Sequence, residues 1–200
     1  MATRSDPDGD ILYDELQGTP ARPQTGYTWD LLMELHEEDP RHQIIGGELI
    51  VTAAPNVRHQ RVAQRLAVIL STYEKEHGGV GLGLPVNLYL SEHDVVEPDC
   101  VYLRPENMGK LEENRIVGPP DLLVEISSPT TRRLDLKRKK ELYERHGVPE
   151  YWFVDLDAEN VQVYRLTEGR YGFTRIASRG ETLGSPLLPG LSVPIDELFA

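Results

Sequence analysis

The segment GPPDLLVEISSPTTRRLDLKRKKELYERHGVPEYWFVD, residues 118–155, reads as strand, basic helix and strand. Its first strand, DLLVEIS, holds Glu125 between Val124 and Ile126. Side chains alternate along a strand, so Asp121, Leu123, Glu125 and Ser127 share one face, and Leu122, Val124 and Ile126 the other. A carboxylate in an apolar strand is expensive unless it is paired or binds a metal. Glu125 therefore marks an open strand end, a structural ion pair or a metal site.

A second acid bears on that choice. The stretch VVEPDCVYL, residues 95–103, puts Asp99 just after Pro98, where a new strand begins. Side by side, the two strands could bring Asp99 and Glu125 to one divalent cation. Magnesium takes hard oxygen ligands and is commonly held by one or two carboxylates, with water and substrate phosphate completing the shell.

The third element is a cation. On the basic helix, expected over 134–146, residues three and four apart share a face. Lys139 then lies with Leu136, Leu142 and Tyr143 on the apolar side, while Lys137 neighbours Arg133, Glu141 and Glu144 on a solvated one. Lys140 falls between. An inward lysine asks for an anion; the bland alternative is a snorkelling side chain. Gly147 and Pro149 stop the helix.

Around this block the pattern is mixed. A helix begins at YTWDLLMELHEED, HQIIGGELIV reads as a hairpin with a Gly46-Gly47 turn, and a long amphipathic helix spans about 57–76 behind an Asn56 cap. GLPVNLYL, DCVYLRP, EYWFVDLD and NVQVYRL read as strands. A weaker strand near YGFTRIA and a short helix in VPIDELF follow. The expected fold class is α/β of mixed α+β type, with a central mixed sheet flanked by helices. Residues 1–26 are polar, acidic and rich in Pro and Gly, and are expected to form a mobile arm on a single domain of residues 27–200.

These motifs resemble the Uma-type family of endonucleases, a branch of the PD-(D/E)XK superfamily. The resemblance is carried by EPDCVYL, GPPDLLVEISSPTT and DLKRKKELYERHGVPEYWFVD, and it extends from Tyr27 to the tail LPGLSVPIDELF. It implies a restriction-endonuclease-like core, with Asp99 and Glu125 as the motif acids and metal ligands. The superfamily's usual lysine position is Ser127 here; the Uma-type pattern places the lysine on the following helix, at Lys139. The implied activity is Mg2+-dependent hydrolysis of nucleic-acid phosphodiesters, most naturally DNA, with Mn2+ able to substitute. The alternative is an inactive nuclease fold serving as an interaction or assembly module. As in related nucleases, a homo-oligomer, a dimer, is implied.

Accessory candidates are Glu48, which matches a recurring acid of the family, and His59, in the first turn of the long helix. Arg132, Arg133, Arg138 and Lys140 are candidate phosphate contacts. Asp121 reads as a strand-entry residue, Cys100 as a small buried apolar group and Tyr151–Phe153 as core.

The bulk composition bounds the function. The net charge is −12, which argues against a general nucleic-acid coating protein. Residues 130–146 nevertheless carry seven Lys or Arg against three acids, an island able to meet a polyanion. One cysteine fits a reducing cytoplasm, and no apolar run spans a membrane.

Overall fold

A computed structural model of the chain describes residues 4–5, 11–12, 25–36, 42–51, 54–83, 85–127 and 134–200. In chain order the elements begin with β1 (Arg4–Ser5), β2 (Ile11–Leu12), α1 (Trp29–His36), β3 (His42–Ile45), β4 (Glu48–Val51) and α2 (Val57–His77). Next come β5 (Val80–Leu82), β6 (Asn87–Ser91), β7 (Asp94–Val96), β8 (Cys100–Leu103), a 3-10 helix (Pro105–Lys110), β9 (Arg115–Val117) and β10 (Leu122–Ile126). A π-helical turn (Leu134–Lys139) runs into α3 (Lys140–Arg145). The chain ends with β11 (Glu150–Asp155), β12 (Asn160–Thr167), β13 (Arg170–Ser178), β14 (Thr182–Ser185), β15 (Leu188–Pro194) and α4 (Ile195–Leu198). No described helix is long and apolar enough to cross a membrane.

The chain groups into two compact units, residues 1–54 with 89–96, and residues 55–88 with 97–200. In the first unit, β3 and β4 form the expected hairpin, with Ile45 opposite Glu48. Gly46 and Gly47 have φ of +61° and +77°, the left-handed pair that a two-residue hairpin turn requires. Asp94 fixes this turn: its Oδ1 accepts the Gly46 N–H at 2.8 Å and its Oδ2 the Ser91 hydroxyl at 3.1 Å. Tyr27, Leu32, Leu35, Ile44 and Val95 form the core of this unit. Of the predicted arm, β1 and β2 pair with each other antiparallel, and apart from residues 25–26 the rest lies outside the described residues.

The second unit is built on a six-stranded sheet of order β13-β12-β11-β10-β8-β5. Only β10 and β11 run parallel; the other pairs are antiparallel. Parallel neighbours need a crossover, and the basic helix supplies it. This is the expected mixed sheet flanked by helices. One face packs on α2: Val62, Leu66, Leu70 and Tyr73 share a core with Leu122, Val124, Ile126, Trp152 and Val154. The Asn56 side chain caps α2 by accepting the His59 N–H at 2.9 Å. α2 lies so close to the chain after it that a Cβ on Gly83 would stand 2.3 Å from the Ala67 Cβ, so only glycine fits there.

The other face of this sheet reads in register across four strands. One row runs Glu125–Phe153–Gln162–Ile176 and the next Leu123–Tyr151–Tyr164–Phe173. The helix on this face is not the regular α-helix expected over 134–146. It opens with a π-helical turn, whose hydrogen bonds close one residue later than those of an α-helix.

Two polar anchors hold the ends of β10. At its start Asp121 is buried and accepts bonds from the Arg104 backbone N–H and Nε, both at 2.8 Å, and from Asn107 Nδ2. Burial acts to raise its pKa, but the bonds from Arg104 and Asn107 outweigh that and hold the carboxyl below its ordinary value. Just past the end of the strand, the buried Ser127 hydroxyl accepts the Leu156 N–H at 2.9 Å, while Ser127 N–H donates to Val154 O. Where the superfamily pattern has lysine, this chain uses the side chain to lock β10 to the end of β11.

Both anchors yield predictions. Asp121→Ala strands buried donors and is expected to cost about 2 kcal/mol in urea unfolding at neutral pH. Because the folded pKa of Asp121 is depressed, its charged form stabilises the fold above the unfolded value, about 3.9. That contribution is lost as pH falls through the folded value, so the gap between wild type and Asp121→Asn narrows below about pH 4. A gap that stays constant to pH 2 contradicts the assignment. Ser127→Ala removes one buried bond and is expected to cost about 1 kcal/mol.

Candidate active site

The site is assembled at the end of β10, beside the start of β8. The register Val124↔Cys100, continued by one residue, sets Glu125 against Asp99. Pro98 has no N–H to extend the ladder. Here a side chain takes over from the backbone: Asp99 Oδ2 accepts the Ile126 N–H at 2.7 Å. The same oxygen lies 3.2 Å from His59 Nε2, contributed by the first turn of α2. Asp99 is thus held from two elements, and its side chain remains 23% exposed.

Glu125 is the buried member, with its side chain 4% exposed. Its Oε1 accepts Lys139 Nζ at 2.9 Å and the Tyr143 hydroxyl at 2.5 Å. The Lys139 side chain is equally buried. Glu125 is not open to solvent and Lys139 does not snorkel: the awkward carboxylate and the inward lysine of the sequence are each other's partners. Lys139 closes the π-helical turn and Tyr143 follows one α-helical turn later, so both reach the same oxygen.

The field of the two acids is felt at Cys100, beside Asp99 on β8. Burial first, and then the charges of Asp99 and Glu125, push its thiol well above the ordinary value. Two carboxylates at neighbouring positions of the β8–β10 register are the donor type magnesium takes, and magnesium commonly uses only one or two. Among the described residues, no group of three His, Cys, Asp or Glu is arranged to hold a metal ion.

The remaining candidates sit as follows. Glu48 opens β4 in the first unit, half-buried. Arg132 and Arg133 lie outside the described residues. Arg138 is half-buried in the π-helical turn, and the Lys140 ammonium sits over the Tyr164 ring, 4.3 Å from its centroid. Three arginines on α2 serve structure. Arg58 pairs with Glu159 at 2.8 Å, and Arg61 and Arg65 bond the Ala200 and Leu198 carbonyls at the chain's end. Tyr143 was missed in the sequence because it counts as one of the apolar residues of the inward face. Its spacing of four from Lys139 was the available signal.

Comparisons with known proteins bear on the fold and the family. A crystal structure of "a putative nuclease belonging to DUF820" from Anabaena variabilis ATCC 29413 matches with a TM-score of 0.71. The match covers 86% of this chain and 97% of that one at 21% identity, which establishes likeness of fold. No curated protein matches the chain. The family model Uma2, described as "Putative restriction endonuclease", matches residues 29–196, a span that includes Asp99, Glu125 and Lys139. The chain belongs to the Uma2 family.

Proposed function

We propose that this protein is a divalent-metal-dependent endonuclease that hydrolyses phosphodiester bonds of nucleic acid, with DNA as the natural substrate. The observation that carries the reading is the buried Lys139–Glu125 contact on the strand next to Asp99. A fold gains little from such a pair over well-packed apolar residues, so its presence favours a chemical use. Asp99 and Glu125 would hold Mg2+, or Mn2+ in its place. When bound, the ion supplies a water of lowered pKa and charge compensation at the phosphate.

The chain's own residues do the rest. Lys139 orients the attacking water and stabilises charge on the phosphoryl oxygens. Tyr143 shares Oε1 with Lys139 and so fixes the direction in which the Glu125 carboxylate faces. His59 Nε2, against Asp99, is placed to orient that carboxylate or to pass a proton to the leaving oxygen. Lys140, Arg138 and the undescribed Arg132 and Arg133 contribute sequence-independent attraction to phosphates.

A second reading, a non-catalytic module of the same fold, is favoured by one observation. The usual lysine position is taken by Ser127, whose side chain is spent on the Leu156 N–H.

Plasmid cleavage with Mg2+ or Mn2+ separates the two. Wild type is expected to nick or linearise plasmid, with Asp99→Asn and Lys139→Met each slower by at least a hundredfold, a loss of about 3 kcal/mol at the transition state. Unchanged rates in both variants sink the nuclease assignment. Lys139→Met also strands the Glu125 charge and is expected to cost about 3 kcal/mol of stability, so unfolding is measured alongside. By calorimetry, Mn2+ is expected to bind wild type and to bind Asp99→Asn at least tenfold more weakly. No heat at millimolar metal supports the module instead.

A further inference from the structure

Among the described residues, the outermost strand, β13, exposes two large apolar side chains on the face of the sheet that carries Glu125. The row from Glu125 ends at Ile176 and the adjoining row ends at Phe173. These two are 45% and 59% exposed, among the large apolar residues most open to water. Three interstrand steps of about 4.8 Å set them about 14 Å across the sheet from β10, the strand of Glu125. Phe173 packs edge-on to Tyr164, with centroids 5.8 Å apart, and Tyr164 stacks on Tyr151 at 5.9 Å. The exposed ring is therefore backed by buried aromatic groups rather than by a flexible loop.

Cations border this aromatic end. Lys140 sits over Tyr164, and beside it a cleft of about 350 Å3 is lined by Leu136, Lys137, Lys140, Glu141, Glu144 and Arg170. Glu144 is taken by Arg170 at 3.1 Å and by the Tyr171 N–H at 2.6 Å. The Lys140 charge also acts on Glu144, helping to hold its carboxyl below the ordinary value, and Glu141 lines the same cleft. An exposed aromatic ring beside a cationic cleft is the chemistry that holds an unpaired nucleotide strand, with bases stacked on the ring and phosphates on the cations.

We infer that Phe173, with Ile176 beside it and Lys140 and Lys137 at its border, is a stacking subsite for a single-stranded segment of nucleic acid continuing from the cleavage site. The inference rests on the nuclease reading and names the substrate form it acts on: a strand unpaired about two nucleotides from the scissile bond. Within a stacked duplex no base face is open to Phe173.

The test is fluorescence anisotropy with labelled oligothymidylate and oligouridylate of about twelve nucleotides, in EDTA, using the full chain. Phe173→Ala is expected to weaken binding of the single strands about tenfold to a hundredfold. Phe173→Trp is expected to bind as wild type, and a duplex of equal length is expected to be indifferent to both. Lys140→Gln is expected to lower the salt slope by about 0.7. Equal losses for both oligonucleotides define a site for either nucleic acid; a loss confined to one names its natural strand. The subsite is overturned by an unchanged affinity in Phe173→Ala, by equal loss on single strand and duplex, or by wild type binding neither oligonucleotide at low salt. It is also overturned if Phe173→Ala splits a dimer in sedimentation without touching oligonucleotide affinity, which makes the patch a contact between copies. Binding in EDTA needs no cleavage, so the two readings fail separately. Phe173-dependent binding without any metal-dependent cutting sinks only the nuclease reading. Cutting with binding indifferent to Phe173 sinks only the subsite.

Discussion

The rest of the second unit depends on one contact, the ion pair between Lys139 and Glu125 inside the sheet–helix interface. Two charges with 4% exposure each are tolerable only together. Removing one leaves the other unpaired at a cost of about 3–5 kcal/mol. The pair therefore fixes how the crossover helix lies on the sheet. Lys139 must end a turn that points it inward, Tyr143 must follow on the same side, and β10 must present Glu125 rather than Val124 or Ile126. A shift of β10 by one residue would turn Glu125 into the α2 core and a valine or isoleucine to the lysine.

The same geometry explains why the two acids differ. Glu125 is locked by Lys139 and Tyr143, whereas Asp99 sits just before β8 begins and stays partly open to water. Proline at position 98 ends the ladder, and the Asp99 carboxylate then accepts the Ile126 N–H in its place. Each acid is thus fixed by backbone or by a rigid element, the condition for a site that must hold reacting groups within a fraction of an ångström. Ser127 and Asp121 pin β10 at both ends.

Much of this was legible in the sequence because it rests on short-range periodicity. Alternation along DLLVEIS separated Glu125 from Val124, and helical spacing singled out Lys139 from its three basic neighbours. The long helix with its Asn56 cap and the Gly46-Gly47 hairpin are local signals as well. What the sequence hid depends on contacts between distant segments. The hydroxyl of Tyr143 matters only because Glu125 stands opposite, and Ser127 is an acceptor only because Leu156 arrives there. The π-helical turn leaves no mark in composition. β13 is a nine-residue strand at the sheet's edge, with Ala177 its buried residue, so its alternation is blurred and it read as weak. The hairpin of β14 and β15 went unread because glycine interrupts β14 and both proline and glycine interrupt β15, although Leu183, Leu188 and Val193 enter the α2 core.

The central claim is that the pair of carboxylates on β8 and β10 forms one metal centre next to Lys139. A crystal structure of the full chain soaked in Mn2+ tests it most directly. The account predicts anomalous density for an ion within about 2.1–2.3 Å of carboxylate oxygens of both Asp99 and Glu125, with the Lys139 ammonium beside it. Manganese bound elsewhere, with Glu125 still held by Lys139 and Tyr143 and Asp99 touching no ion, would contradict it.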